Sequence, residues 1–257
     1  MSSYGRLSTA FYDLDKPAAP ESAIRFYRSA IEEATGPALE AMCGSGRFLV
    51  PLMALGVAVD GVDASAHMLD ACREKAEHRG LAPRLYEQFL DRLCLPTRYG
   101  SIFIPAGSIG LICEGDALAR SLRRLHEHML PGAQLLIELV DKDRETCTEM
   151  QSGERRVESA DGSAIRYAWS SRFDEPASVV EYSAVYELHA DSAPAAREEE
   201  QIRLRLHSNA QFSLLLSEAG FVDVEVYDRL KDAQWLHESG CVLFRARKPP
   251  DSGSNRA

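Results

Sequence analysis

The nine residues Leu39-Glu40-Ala41-Met42-Cys43-Gly44-Ser45-Gly46-Arg47 hold the densest chemical signal in the chain. Two glycines one residue apart let a backbone turn tightly and let a ligand approach it with no Cβ in the way. A second acidic position, Asp63 in Gly61-Val62-Asp63-Ala64-Ser65, follows the next apolar run. A carboxylate accepts hydrogen bonds and donates none, which suits a pair of ribose hydroxyls held beside the first loop. Together the two segments predict a ligand that contains a nucleoside. A dinucleotide fingerprint wants a third small residue where Leu49 stands, and Arg47 is also a poor fit, so a nucleotide-dependent oxidoreductase is the weaker enzyme reading. A noncatalytic cofactor-binding or dimerisation module is the third.

Other residues that could do chemistry are sparser. Arg203, Arg205 and His207 fall at alternate positions of one predicted strand, and Tyr167 and Trp169 share a face of another. They are candidates for holding an anionic or aromatic acceptor, with His207 as a candidate base; the plainer reading is a solvated strand face and a small apolar core. The seven histidines have no metal-ligand spacing, and His126 and His128, two apart on a helix, face away from each other. No metal is expected. The cysteines at 43, 72, 94, 113, 147 and 241 form no Cys-x-x-Cys pair and read as scattered reduced thiols. A net charge of −10 argues against nucleic acid, which demands a basic footprint. With no apolar run of spanning length and a polar start, a cytoplasmic protein with no membrane partner is expected.

These residues need a scaffold. From about residue 20 to 140, helical patterns alternate with short apolar strands, which predicts an α/β, doubly wound, mostly parallel sheet. Helices are expected over 21–34, where Tyr27 is core, 46–55, from Ser65 to Gly80, and from Asp116 to Leu130; strands over 38–42, 57–62, 84–89, 101–104 and 133–139. Pro131-Gly132 reads as a turn. After Val140 the period changes to two (Ile165-Tyr167-Trp169, Tyr182-Ala184-Tyr186-Leu188, Ile202-Leu204-Leu206), the mark of half-exposed antiparallel strands. The domain plan is an N-terminal cap segment and helix (1–35), a core (36–140 and 208–247), an inserted β-meander on the acceptor side (141–207) with Asp191–Glu200 as a mobile loop, and a disordered tail (248–257). The core resumes with a helix over 209–219 and strands over 221–227 and 241–247.

The segments around Gly44 and Asp63, the latter extending through Ala66-His67-Met68-Leu69, closely resemble motifs I and II of class I, Rossmann-like, S-adenosylmethionine-dependent methyltransferases. Pro131-Gly132 and Ser213–Phe221 resemble that family's turn into its fifth strand and its late helix and hairpin. The resemblance implies a seven-stranded sheet with an antiparallel β-meander as lid, and S-adenosylmethionine as cofactor with S-adenosylhomocysteine as product. Glu40, Gly44 and Gly46 would line the methionine end, Asp63 would hold the ribose, and Ala64 and Met68 would lie beside the adenosine. Gln88, Phe89 and Leu90 would flank adenine, although the common acidic residue is missing there and Asp91 is expected to be displaced. Residues 104–108, including Pro105, would face the sulfonium. Tyr12 is the N-terminal tyrosine expected to cap the cofactor. Met42 stands where the family's first motif I glycine belongs. The implied partner is a small-molecule acceptor, methylated on nitrogen or oxygen, and a homodimer is left open.

Overall fold

The structure, a computed structural model, describes residues 4–140, 150–190, 193–227, 234–238 and 240–251. Its first strands are β1 (Ala38–Ala41), β2 (Val59–Asp63), β3 (Leu85–Glu87), β4 (Tyr99–Ile104) and β5 (Met129–Val140). Then come β6 (Gln151–Glu158), β7 (Ala164–Asp174), β8 (Val179–Ala190), β9 (Ala193–Arg205), β10 (Val222–Tyr227) and β11 (Cys241–Arg247). Seven of them form one sheet in the order β10-β11-β5-β4-β1-β2-β3, parallel from β3 to β5 and antiparallel at β11 and β10. Every residue of β1 and β4 is buried, as expected of strands covered on both faces. The chain leaves β1 toward β2 on one side and returns to β4 on the other. That reversal opens a crevice at the carboxyl ends of β1 and β4, where open α/β sheets bind ligands.

Helices α1 (Arg6–Asp15), α2 (Glu21–Glu32), α3 (Leu49–Ala54), α4 (Ala66–Glu77), α5 (Ala117–Glu127), α6 (Asn209–Glu218) and α7 (Gln234–Glu238) surround the two sheets. On α2, Ala23, Ile24, Tyr27 and Ile31 recur at helical spacing and are buried, placing Tyr27 in the core as its pattern predicts. Ser65 caps α4 by accepting from the Met68 amide, and Ser208 with Gln211 forms a capping box on α6. α3 begins three residues later than expected, so Pro51 falls in its first turn, where no helical hydrogen bond is lost. α5 ends at Glu127 rather than Leu130, and Asp116 does not cap it: its carboxylate is taken by Arg120. Pro131-Gly132 is absorbed into β5 as an irregularity, marked by a register shift against β4.

The remaining strands form a separate antiparallel meander, β6-β7-β8-β9. Three departures from the sequence reading lie here. The meander has a fourth strand, β6, and residues 193–200 of the expected loop belong to β9. The third is α1, which packs Leu7 and Phe11 against Ile165, Ala184 and Tyr186 of the meander in a cluster of their own. Tyr167 belongs to that cluster, 4.7 Å from Phe11 and 5.0 Å from Tyr186 between ring centroids, so the plainer reading of it holds. Among the described residues no helix is long and apolar enough to cross a membrane. Cys147 and residues 252–257 of the expected tail lie outside them, whereas Lys248 is tied down by bonds from its ammonium to the His126 and Met129 carbonyls.

Candidate active site

The loop after β1 is shaped by left-handed backbone at three alternate positions. Met42 adopts φ +59°, Gly44 +53° and Gly46 +78°. Met42 therefore keeps the left-handed backbone that a glycine would supply freely, at a cost of about 1–2 kcal/mol. Asp63, at the end of β2, fixes this loop: its Oδ2 accepts from the Gly44 amide and its Oδ1 from the Ser65 amide, both at 2.8 Å. Burial pushes the Asp63 carboxyl up, and the two amides pull it back toward the ionised form. Glu40, on β1, is 2% exposed and its Oε2 has no hydrogen-bond partner. Burial, followed by the Asp63 charge, holds its carboxyl well above the usual range, and the Leu49 backbone amide opposes only weakly.

The loop after β4 is held from below. Ala106 (φ +59°) and Gly107 (φ +70°) both lie in the left-handed region. The buried Glu138 of β5 accepts from the Ala106 amide (2.8 Å), the Tyr27 hydroxyl (2.7 Å) and the Trp235 indole (3.2 Å). Three donors on one buried carboxylate lock a strained turn at the mouth of the crevice.

A cavity of about 700 Å³ connects these loops. Its floor is the β1 loop with Glu40, Met42 and Gly44, one wall carries Asp63, Ala64, Met68, Gln88, Phe89 and Leu90, and Tyr4 and Tyr12 close it from α1 and its leader. It continues past Pro105, Ala106 and Ser108 to Cys113 and Glu114, where Gln201 and Arg203 of β9 reach in from the meander. Pockets of roughly 300–1,000 Å³ accommodate drug-sized ligands. This one takes in both the glycine loop with Asp63 and the stretch where Gln201 and Arg203 come down from β9.

Residues 38–132 match the methyltransferase domain family. Residues 38–132 thus carry a methyltransferase domain, and the fold is that of class I S-adenosylmethionine-dependent methyltransferases. Across 210 residues it is 24% identical to a protein of Geobacillus sp. (strain WCH70) named as a methyltransferase, covering 82% of this chain and 83% of the relative. The sugar N-methyltransferase KedS8 from Streptoalloteichus superposes with a TM-score of 0.75 at 20% identity, over 97% of this chain and 95% of its own. CalS10 from Micromonospora echinaspora, an amino pentose methyltransferase solved with S-adenosylmethionine bound, gives 0.69 at 17%, over 96% and 99%.

The methyl donor of this class is S-adenosylmethionine, and the residues present fit it: the chain offers an unpartnered buried carboxylate oxygen at Glu40, facing a cavity into which a cationic ligand can bring a donor. Tyr12, Glu40, Gly44, Asp63, Ala64, Met68, Gln88, Phe89, Leu90 and Pro105 all line the cavity. Gly46 does not. A Cβ there would come within 2.5 Å of the Cys72 sulfur and 2.9 Å of Val50 Cγ2, so this glycine serves the packing of the loop on α4 and α3. His207 does not line it either. β9 stops at Arg205, the Leu206 amide turns to the Ser178 carbonyl, and the imidazole packs against Phe212, 5.9 Å between centroids. Trp169 also stays outside, 6.3 Å from Tyr182.

The sequence reading missed three features of the site. Asp91 lines the cavity instead of being displaced, paired with Arg120 at 3.2 Å. Gln201 and the stretch 111–114 line its polar end, where Cys113 donates to the Arg203 carbonyl and Arg205 to the Cys113 carbonyl. Glu138 was invisible because its task exists only after Tyr27, Ala106 and Trp235 have been gathered around it. The position of 111–114, beyond the carboxyl end of β4, was the available signal for that stretch.

Proposed function

We propose that this methyltransferase moves the methyl group of S-adenosylmethionine to an amine nitrogen of a small-molecule acceptor bound between the β4 loop and the meander. The observation that carries the reading is the continuity of the cavity, which holds room for a nucleoside beside Asp63 and for a second small molecule beside Gln201 and Arg203. The donor, when bound, supplies a methyl group already activated on a cationic sulfur. Asp63 offers the remaining lone pairs of its carboxylate to the ribose hydroxyls, while Phe89, Leu90 and Met68 give the base apolar surfaces. Glu40 and Gly44 hold the amino-acid end. The Pro105–Ala106 turn, fixed by Glu138, sets the approach of the acceptor, and α1 with β9 excludes water.

An amine needs only a neutral lone pair to attack, whereas a hydroxyl needs help in losing its proton. The placement of His207 outside the cavity removes the imidazole from that role and favours the amine. Arg203 and Gln201 present a cation and an amide to the polar groups of the acceptor. KedS8 and CalS10, named for sugar N-methylation and for an amino pentose, point the same way. The test is methyl transfer from labelled S-adenosylmethionine to amino sugars, aliphatic amines and their hydroxyl counterparts. Turnover of amines alone is expected. Turnover confined to hydroxyl acceptors overturns the nitrogen assignment, and no transfer to either by donor-loaded protein overturns the small-molecule reading.

A further inference from the structure

Glu40 sits where a carboxylate is hardest to keep charged. It is nearly inaccessible, one oxygen has no partner, and it still borders the cavity. The titratable groups that face it are Asp63 on β2, Cys43 after β1, Cys72 on α4, Tyr12 on α1 and Tyr27 on α2. None is a cation. Two carboxylates in one recess do not both ionise cheaply, and the pair divides its charge according to which site is better solvated by dipoles. Asp63 has two backbone amides at 2.8 Å. Glu40 has burial, a negative neighbour and one weak amide contribution. These surroundings favour the charge on Asp63 over the charge on Glu40.

We infer that Glu40 selects the methyl donor by charge: neutral in the ligand-free chain, it releases its proton to solvent when a cationic nucleoside enters, so that donor capture is coupled to the loss of one proton. The balance is simple. A carboxylic acid and a cation in solution become a carboxylate–cation pair in the pocket plus a free proton, with no other reactant. A nucleoside of the same shape without positive charge has no means of drawing that proton off. The inference rests on the donor-pocket reading of the cavity and adds to it a discrimination that shape alone does not provide.

The experiment is calorimetric titration of the full chain with S-adenosylmethionine and with neutral 5′-methylthioadenosine, in two buffers of different ionisation enthalpy near pH 6. At that pH the ligand's own α-amino group, with a pKa of about 7.7–8.0, stays protonated. Close to one proton released per S-adenosylmethionine is expected, with affinity rising about tenfold per pH unit while Glu40 remains protonated in the free chain. Methylthioadenosine should release almost none, a comparison made wholly on the unaltered protein. In Glu40→Gln the release and the pH slope should both disappear. The inference is overturned if S-adenosylmethionine binds without releasing protons, if the neutral nucleoside releases as many, or if Glu40→Gln releases as many as the parent. Failure of S-adenosylmethionine to bind at any pH removes the donor-pocket reading itself, which is a different result from binding without proton release.

Discussion

Asp63 illustrates how one side chain can be structural and functional at once, since its two oxygens hold the Gly44 and Ser65 amides before any ligand arrives. Asp63→Ala should weaken S-adenosylmethionine binding by about 1.5–3 kcal/mol for each charge-assisted bond lost to the ribose. Calorimetry reads this directly, and unchanged affinity would remove Asp63 from the ribose site. The acidic pair also makes a prediction about stability. An unfolded glutamate ionises above pH about 4.3, whereas folded Glu40 retains its proton to a higher pH. A raised folded pKa means stability that is present at low pH and lost as pH rises toward the folded value, at up to about 1.4 kcal/mol per unit. Glu40→Gln carries no such proton. Relative to the parent, its melting temperature in the absence of ligand should climb between pH 5 and pH 8; a constant difference would show that Glu40 is charged throughout.

At the scale of elements, the lid is where sequence and structure diverge most, for reasons that differ by strand. β11 has the expected bounds of 241–247, and β1 and β4 were readable as apolar runs because strands buried on both faces leave no other pattern. β6 carries Glu154, Arg155 and Arg156 on an exposed edge, and charged edge strands lack the alternation by which strands are recognised. The Ala- and Glu-rich composition of residues 193–200 suggested a loop. Their strand conformation is fixed by pairing with β8, and Glu198 and Glu200 are used on α1, neither of which is local. α1 itself was legible in principle, since Leu7, Phe11 and Leu14 recur at helical spacing, but its polar neighbours made it read as a cap segment. The Gly-x-Gly and Asp63 segments were legible because their chemistry lies in the backbone and in one carboxylate. The part of the cavity proposed for the acceptor was not, because β9 and the stretch after β4 come together there only on folding. Arg203 is the residue of β9 that tests that assembly. Arg203→Ala should raise the acceptor KM several-fold and leave S-adenosylmethionine affinity unchanged, since Arg203 comes from β9 and not from the β1 loop or β2 on which the donor is proposed to lie. Equal losses of both affinities would mean that β9 supports the fold rather than the acceptor.

For the whole molecule, the meander meets the core directly where Cys113 bonds Arg203 and Arg205, and a second time through one short helix. The first amides of α1 are held by the meander: the Gly5 amide donates to Glu200 at 2.6 Å and the Leu7 amide to Glu198 at 3.0 Å. These carboxylates satisfy orphan donors at the helix start and match its positive end. Toward the core, Asp13 near the end of α1 accepts from Ser45 in the glycine loop (2.5 Å) and from Lys75 of α4 (2.7 Å), while the Tyr4 carbonyl accepts from Ser65 (2.8 Å). Any ligand that fixes the glycine loop and the end of β2 thus also fixes both anchors of α1, and through them the β9 carboxylates. S-adenosylhomocysteine, a donor-site ligand that cannot transfer a methyl group, should slow amide hydrogen exchange in α1 and along 197–203 as well as in the loop 42–48. Glu200→Gln weakens the α1 attachment without touching the donor recess, so it should lessen protection in 197–203 and leave that in 42–48 intact. Protection confined to 42–48 in the parent protein would mean that the meander closes independently of the donor, and α1 would then not carry donor binding to the meander.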